Sequence, residues 1–157
     1  MKKNSKLLYL LITISFFVGI NSYFSNLIAS NLSAGWIYSN EFINLIFVKN
    51  TGAAFSLLQN STNFLIAISI ISVFLILYYI VRNIETLLMK EIFCSSILLA
   101  GILGNLYERI FFGYVRDYFD LAFVNFPVFN ISDVLINVGV FAIIILILLT
   151  KRPIKLL

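Results

Sequence analysis

The chain has 157 residues, of which 61% are hydrophobic and only 11% charged, a balance that excludes a soluble globular domain and leaves lipid as the solvent for most of it. Its net charge of +4 comes with no alternation of basic and aromatic residues, so nucleic acid is not an expected partner. One cysteine, Cys94, and no histidine exclude an intramolecular disulfide, zinc sites built on Cys or His, and serine-histidine or cysteine-histidine nucleophiles.

Crossing a hydrocarbon core of roughly 30 Å takes about 20 apolar residues. Four runs approach that length, at about 7–27, 64–81, 92–106 and 134–149. The first follows a basic start, Lys2, Lys3 and Lys6, and outlasts the apolar core of a cleavable signal peptide, about 7 to 15 residues, without reaching a small-x-small site. It is therefore read as a retained helix, polar at its far end through Asn21 and Asn26. Beyond it, Phe42-Ile43-Asn44-Leu45-Ile46-Phe47-Val48 is β-branched and aromatic, with Ser39-Asn40 before it and Asn50-Thr51-Gly52 after, which predicts a strand or hairpin on the membrane surface.

The second run is uncharged and leads into a loop holding Arg82, Glu85, Lys90 and Glu91. The third is short and carries Gly101, Gly104 and Asn105; Cys94 packs within it. The fourth stops at Lys151, Arg152 and Pro153. Lysine and arginine in the connections fall mostly on one side of four spans, which predicts both termini in the cytoplasm and leaves Lys49, Arg109 and Arg116 opposite. Trp36, Tyr38, Tyr114 and Tyr118 suit the headgroup zone as interfacial anchors. The expected fold is an all-α integral membrane protein of four transmembrane helices with a small extracytoplasmic β-strand or hairpin and loop, in one domain of residues 1–157.

The outward loops hold the unusual residues. Glu41, like Glu85 and Glu91, reads as solvated, whereas Glu108, Asp117, Asp120 and Asp133 cluster just outside the third and fourth helices. A carboxylate at a helix centre costs about 2.5 to 3.5 kcal/mol, less near the interface, so such a cluster points to a site. Asp133 would also serve as a helix cap. Asn130, Asp133 and Asn137 are spaced to share one helical face, and so are Gly101, Asn105 and Glu108, with Arg109 beside them. Three readings fit these faces: an enzyme, a small transport or proton-conducting subunit, and a scaffold whose polar residues only join helices.

Four segments resemble the motifs of lipoprotein signal peptidases (signal peptidase II). Val48-Lys49-Asn50-Thr51-Gly52-Ala53-Ala54-Phe55-Ser56 resembles the family's asparagine-glycine-alanine-alanine motif. Gly104-Asn105-Leu106-Tyr107-Glu108-Arg109 resembles its glycine-asparagine-x-x-aspartate-arginine box. Gly113-Tyr114-Val115-Arg116-Asp117 and Phe129-Asn130-Ile131-Ser132-Asp133 resemble the segments that carry its two catalytic aspartates. The motifs stand in the family's order and cover the chain from about residue 42 to its end.

The resemblance implies that Asp117 and Asp133 are catalytic and that Asn50, Gly52, Asn105, Glu108, Arg109 and Asn130 support substrate and aspartates. The residues alone leave Asp117 and Asp120 equal; only the motif separates them. Also implied is an inner-membrane aspartic endopeptidase that works as a monomer among membrane lipids, without metal or cofactor. Its active site faces away from the cytoplasm, and it cuts prolipoproteins before a diacylglyceryl-modified cysteine. The chain departs from the pattern twice. Near the end of the first helix the family usually shows aspartate-glutamine-x-x-lysine, where this chain has Asn21-Ser22-Tyr23-Phe24-Ser25, and Glu108 stands where the family has aspartate. Two close carboxyl groups in a poorly solvated site suit this chemistry, because they cannot both ionise readily and so share a proton.

Overall fold

Each apolar run folds into a helix longer than the run itself. The structure, a computed structural model, describes residues 2–53 and 58–150. Its helices are α1 (Lys3–Ser33), α2 (Thr62–Asn83), α3 (Met89–Phe112) and α4 (Ile131–Thr150), joined by three strands, β1 (Tyr38–Ser39), β2 (Ile43–Asn50) and β3 (Val115–Leu121). All four helices are long and apolar enough to cross a membrane. The 31 residues of α1 span roughly 46 Å at 1.5 Å per residue, well beyond a hydrocarbon core.

The helices overrun the apolar windows because their polar ends meet protein instead of lipid. Lys6, Asn21 and Ser25 of α1 are buried, as are Asn105, Glu108 and Arg109 of α3. Glu108 and Arg109, expected just outside the third helix, therefore lie in its last turns. The other three helices all pack on α3. The buried residues of α1 (Lys6, Leu10, Thr13, Asn21, Ser25, Ala29) form a single stripe at helical spacing, whereas those of α3 run around much of its circumference. Large apolar side chains such as Leu11, Phe74 and Leu148 point outward, as lipid-facing residues do.

Small residues set the spacing of α3 and α4. A Cβ on Gly101 would stand 2.5 Å from the Ser132 carbonyl oxygen, and one on Gly139 would stand 2.7 Å from the Leu98 backbone nitrogen. The two backbones thus touch at both positions, the close approach that small residues permit between membrane helices.

At the opposite end of the bundle from the sheet, Leu10, Ile80, Ile84, Ile92 and Leu99 form an apolar core. Lys6 caps it, its Nζ donating to the carbonyls of Ile84 (3.0 Å), Glu85 (2.8 Å) and Leu87 (2.7 Å). These carbonyls follow α2, where no further helical turn can satisfy them, and a cation suits the negative end of a helix. Lys6→Met keeps the apolar stem but strands these acceptors. We expect a loss of about 1–3 kcal/mol, read as a lower melting temperature of the purified protein in detergent.

Gly113 ends α3. Its φ of +80° is a left-handed conformation that glycine adopts without strain, and its N–H closes on the Arg109 carbonyl. The chain then enters β3, which pairs antiparallel with β2, while β2 pairs with β1 in the order β1-β2-β3. A strand over 42–48 was expected; the observed β2 runs on to Asn50. Its partner β3 was not anticipated. The β2–β3 register shifts between Leu45 and Val48, a bulge that leaves Val48 opposite Asp117.

Candidate active site

Strand periodicity separates the two aspartates that the residues alone left equal. Asp117 and Asp120 are three apart on β3 and so face opposite sides of the sheet. Asp120 pairs across the sheet with Asn44, whose Nδ2 donates to it at 2.9 Å. Asp117 lies opposite Val48, and Asn50, two residues further along β2, shares that face. Its Nδ2 reaches Asp117 Oδ2 at 2.8 Å. The Asn50 Oδ1 accepts the Gly52 N–H at 2.9 Å, a local turn that fixes the amide's direction.

The second aspartate arrives from the start of α4. Residues 126–130 fold back along β3, where Phe119 and Phe129 exchange backbone hydrogen bonds of 2.8 and 3.0 Å. This return brings Asn130 beside Asp117. Its Nδ2 donates to Asp117 Oδ1 at 2.7 Å and to Asn105 Oδ1 at 3.2 Å, while its own Oδ1 accepts the Asp133 N–H at 3.0 Å. Asp133 answers by accepting the Asn130 N–H on Oδ2 at 3.1 Å, and its Oδ1 accepts from Asn105 at 2.8 Å. Asp133 therefore caps the start of α4 and is at the same time half of a carboxylate pair.

Three asparagines thus supply one neutral donor to each side-chain oxygen of Asp117 and one to Asp133, and Asn130 touches both aspartates. Asp117 is only 2% exposed. Burial above all, with the Asp133 charge nearby, pushes its carboxyl up to about 6, against the opposing pull of the Asn50 and Asn130 donors.

Arg109 is buried beside them. Its Nη2 donates to the Gly52 carbonyl at 2.8 Å, pinning the loop after β2, and among the described residues its Nε has no partner. Glu108, expected to support the same site, turns elsewhere. It accepts the Arg116 backbone N–H at 2.6 Å and the Arg116 guanidinium at 2.7 and 3.0 Å, bracing the start of β3 away from the cavity. Its place one residue before Arg109 on α3 points it toward a different neighbour.

A cavity of about 1130 Å³ opens on Asn50, Asn105, Arg109, Asp117 and Asp133. Past them it continues along α4 by Val134, Asn137, Val138, Phe141 and Ile145, a row of roughly 16 Å that is apolar but for Asn137. The polar group therefore sits at one end of a greasy groove. Ala54, Phe55 and Ser56 of the first motif lie outside the described residues.

Two sets of residues were not legible as part of this region. Tyr118, read as an interfacial anchor, is 0% exposed. Burial pushes its phenol above the ordinary value. Asn21 and Ser25, which read as a loss of charge, are buried in contact with Ser132 and Tyr118. The only sequence signal was position: Tyr118 and Ser132 each adjoin an aspartate of the pair.

The lipoprotein signal peptidase of Enterococcus faecalis is 35% identical over 143 residues, covering 88% of this chain and 86% of the relative. That of Latilactobacillus sakei is 34% identical, covering 80% and 90%. A bacterial membrane enzyme solved by the in meso method at 2.3 Å resolution superposes with a TM-score of 0.80 at 28% identity, over 94% of this chain and 93% of that one. The transport reading finds no support among these relatives. The model of signal peptidase (SPase) II matches residues 9–149, nearly the whole chain, and the chain belongs to the signal peptidase II family.

Proposed function

We propose that the protein is an aspartic endopeptidase that removes signal peptides from prolipoproteins, cutting before a diacylglyceryl-modified cysteine, with Asp117 and Asp133 as the catalytic pair. The observation that carries this reading is the pair itself, two carboxyl groups joined through Asn130 at the head of an apolar groove. The pair holds one proton between its members. The ionised member takes a proton from water as the water oxygen bonds to the scissile carbonyl carbon. The protonated member gives its proton to the departing amine as the carbon–nitrogen bond breaks, so the pair ends with one proton as it began. Arg109, whose side chain lines the cavity, stabilises charge on the carbonyl oxygen.

The groove along α4 suits the apolar stretch of a signal peptide, about 7 to 15 residues long. Metal-independence rests on the donor set: the chain has no histidine, and among the described residues no three Cys, Asp or Glu side chains gather as metal ligands. The protein is a multi-pass inner-membrane protein with both termini in the cytoplasm and its site at the extracytoplasmic face, on the lysine and arginine distribution. It acts as a monomer among membrane lipids, since the groups named for the chemistry all lie on one chain.

The purified protein in lipid is expected to cleave a diacylglyceryl-modified prolipoprotein and to leave the unmodified precursor intact. Asp120→Asn is expected to cleave as the wild type does, because Asp120 faces Asn44. An intact lipidated substrate, under conditions where the Enterococcus faecalis relative cuts it, overturns the assignment.

A further inference from the structure

Behind the aspartates, on the side away from the cavity, five groups close a ring of hydrogen bonds that contains no charge. The Ile131 backbone N–H donates to the Tyr118 hydroxyl at 3.3 Å, and the Tyr118 and Ser25 hydroxyls meet at 2.9 Å. Ser25 donates to Asn21 Oδ1 at 3.4 Å, and Asn21 Nδ2 donates to the Ser132 hydroxyl at 2.8 Å. The proton count fixes the direction. The single proton of Ser25 goes to Asn21, so the bond between Tyr118 and Ser25 must use the Tyr118 proton, and the phenolic oxygen is left to accept from Ile131. The chain of donors thus leaves α4 at Ile131, crosses β3 and α1, and returns to α4 one residue later at Ser132.

The surroundings are shaped around this ring. Asn21, Ser25, Tyr118 and Ser132 are all 4% exposed or less. Gly104 of α3 faces the bond between Asn21 and Ser132, and any Cβ there would overlap both partners. Two members of the ring adjoin the catalytic carboxylates in sequence, Tyr118 following Asp117 and Ser132 preceding Asp133. Along β3 adjacent side chains point to opposite faces, so holding Tyr118 from behind sets the direction of Asp117 in front. On α4 a bond at each of the first two residues fixes the turn that presents Asp133.

We propose that Asn21, Ser25 and Tyr118 are positioning residues: an uncharged relay that holds β3 and the first turn of α4 in register, and with them the spacing of the two aspartates. This rests on the peptidase reading above. The relay stands where the resemblance leads one to expect a charged pair, and it does that work with neutral groups linked donor to acceptor. It lies outside the cavity wall, so it acts on the alignment of the reacting groups and leaves the substrate's contacts intact.

The test is steady-state kinetics of the purified full-length protein on a diacylglyceryl-modified prolipoprotein, for Tyr118→Phe, Ser25→Ala and the double variant, each with its melting temperature recorded. Tyr118→Phe is expected to lower kcat by about 10- to 100-fold, since a small misplacement of reacting groups is that costly, while KM moves less than about threefold. The double variant is expected to be no slower than about twice the worse single variant, because both break one chain. If the wild type cleaves and both single variants keep kcat within about twofold, or if the loss is all in KM, the relay is overturned and the peptidase reading stands. Should Tyr118→Phe fail to fold, Ser25→Ala decides alone by the same split. A wild type that does not cleave overturns the peptidase reading, and the relay with it.

Discussion

Asp117→Asn and Asp133→Asn are each expected to abolish cleavage, by about 10³-fold or more, because either change removes one of the two groups proposed to exchange protons with the substrate and water. Asp117→Asn carries a second signature that does not depend on substrate. The carboxyl rises from 3.8 to about 6 in the folded protein, so folding favours its protonated form. Its contribution to stability is complete below pH 3.8 and is lost as pH rises through about 6; a displacement of that size is worth roughly 3 kcal/mol. Wild-type melting temperature should therefore fall between about pH 4 and pH 6.5 more steeply than that of Asp117→Asn. The amide does turn one donor against Asn50 or Asn130, at about 1 kcal/mol, but that penalty is independent of pH and leaves the slope diagnostic. Equal slopes in the two proteins would mean that Asp117 is not the buried acid described here.

The four spans were legible because lipid imposes a crude rule, a long apolar run, that sequence cannot hide. Their ends were not. The apolar windows stop at about residues 27 and 106, yet α1 continues to Ser33 and α3 to Phe112, because a polar side chain facing another helix escapes the rule. β3 was missed for a related reason. Val115-Arg116-Asp117-Tyr118 reads as a polar loop until Glu108 is seen to neutralise Arg116, and Ser25 to meet Tyr118 from 93 residues away. Asp117 and Asp133 came into view through motifs, and strand alternation supplies the physical reason why Asp120 is excluded. Asn130 could be named from its motif, but not that one side chain joins both aspartates and caps α4. Such convergence depends on the return of residues 126–130 along β3, a pairing of two aromatic segments with no local signal.

That convergence makes Asn130 the position where stability and chemistry can be pulled apart. Asn130→Ala removes the acceptor for the Asp133 N–H and the donor to Asp117 together. Loss of a helix cap costs about 1 kcal/mol, up to about 2, and an Asp117 oxygen left without its 2.7 Å donor adds to the misalignment of the pair. Cleavage should fall by about 10²- to 10³-fold and the melting temperature should drop. Asn130→Ser separates the two effects. A serine hydroxyl caps a helix as well as asparagine does, but it is too short to reach across to Asp117. The serine variant is therefore expected to recover most of the melting temperature lost by the alanine variant while kcat stays low. Recovery of both together would make Asn130 a cap and nothing more, and would leave Asp117 aligned by Asn50 alone.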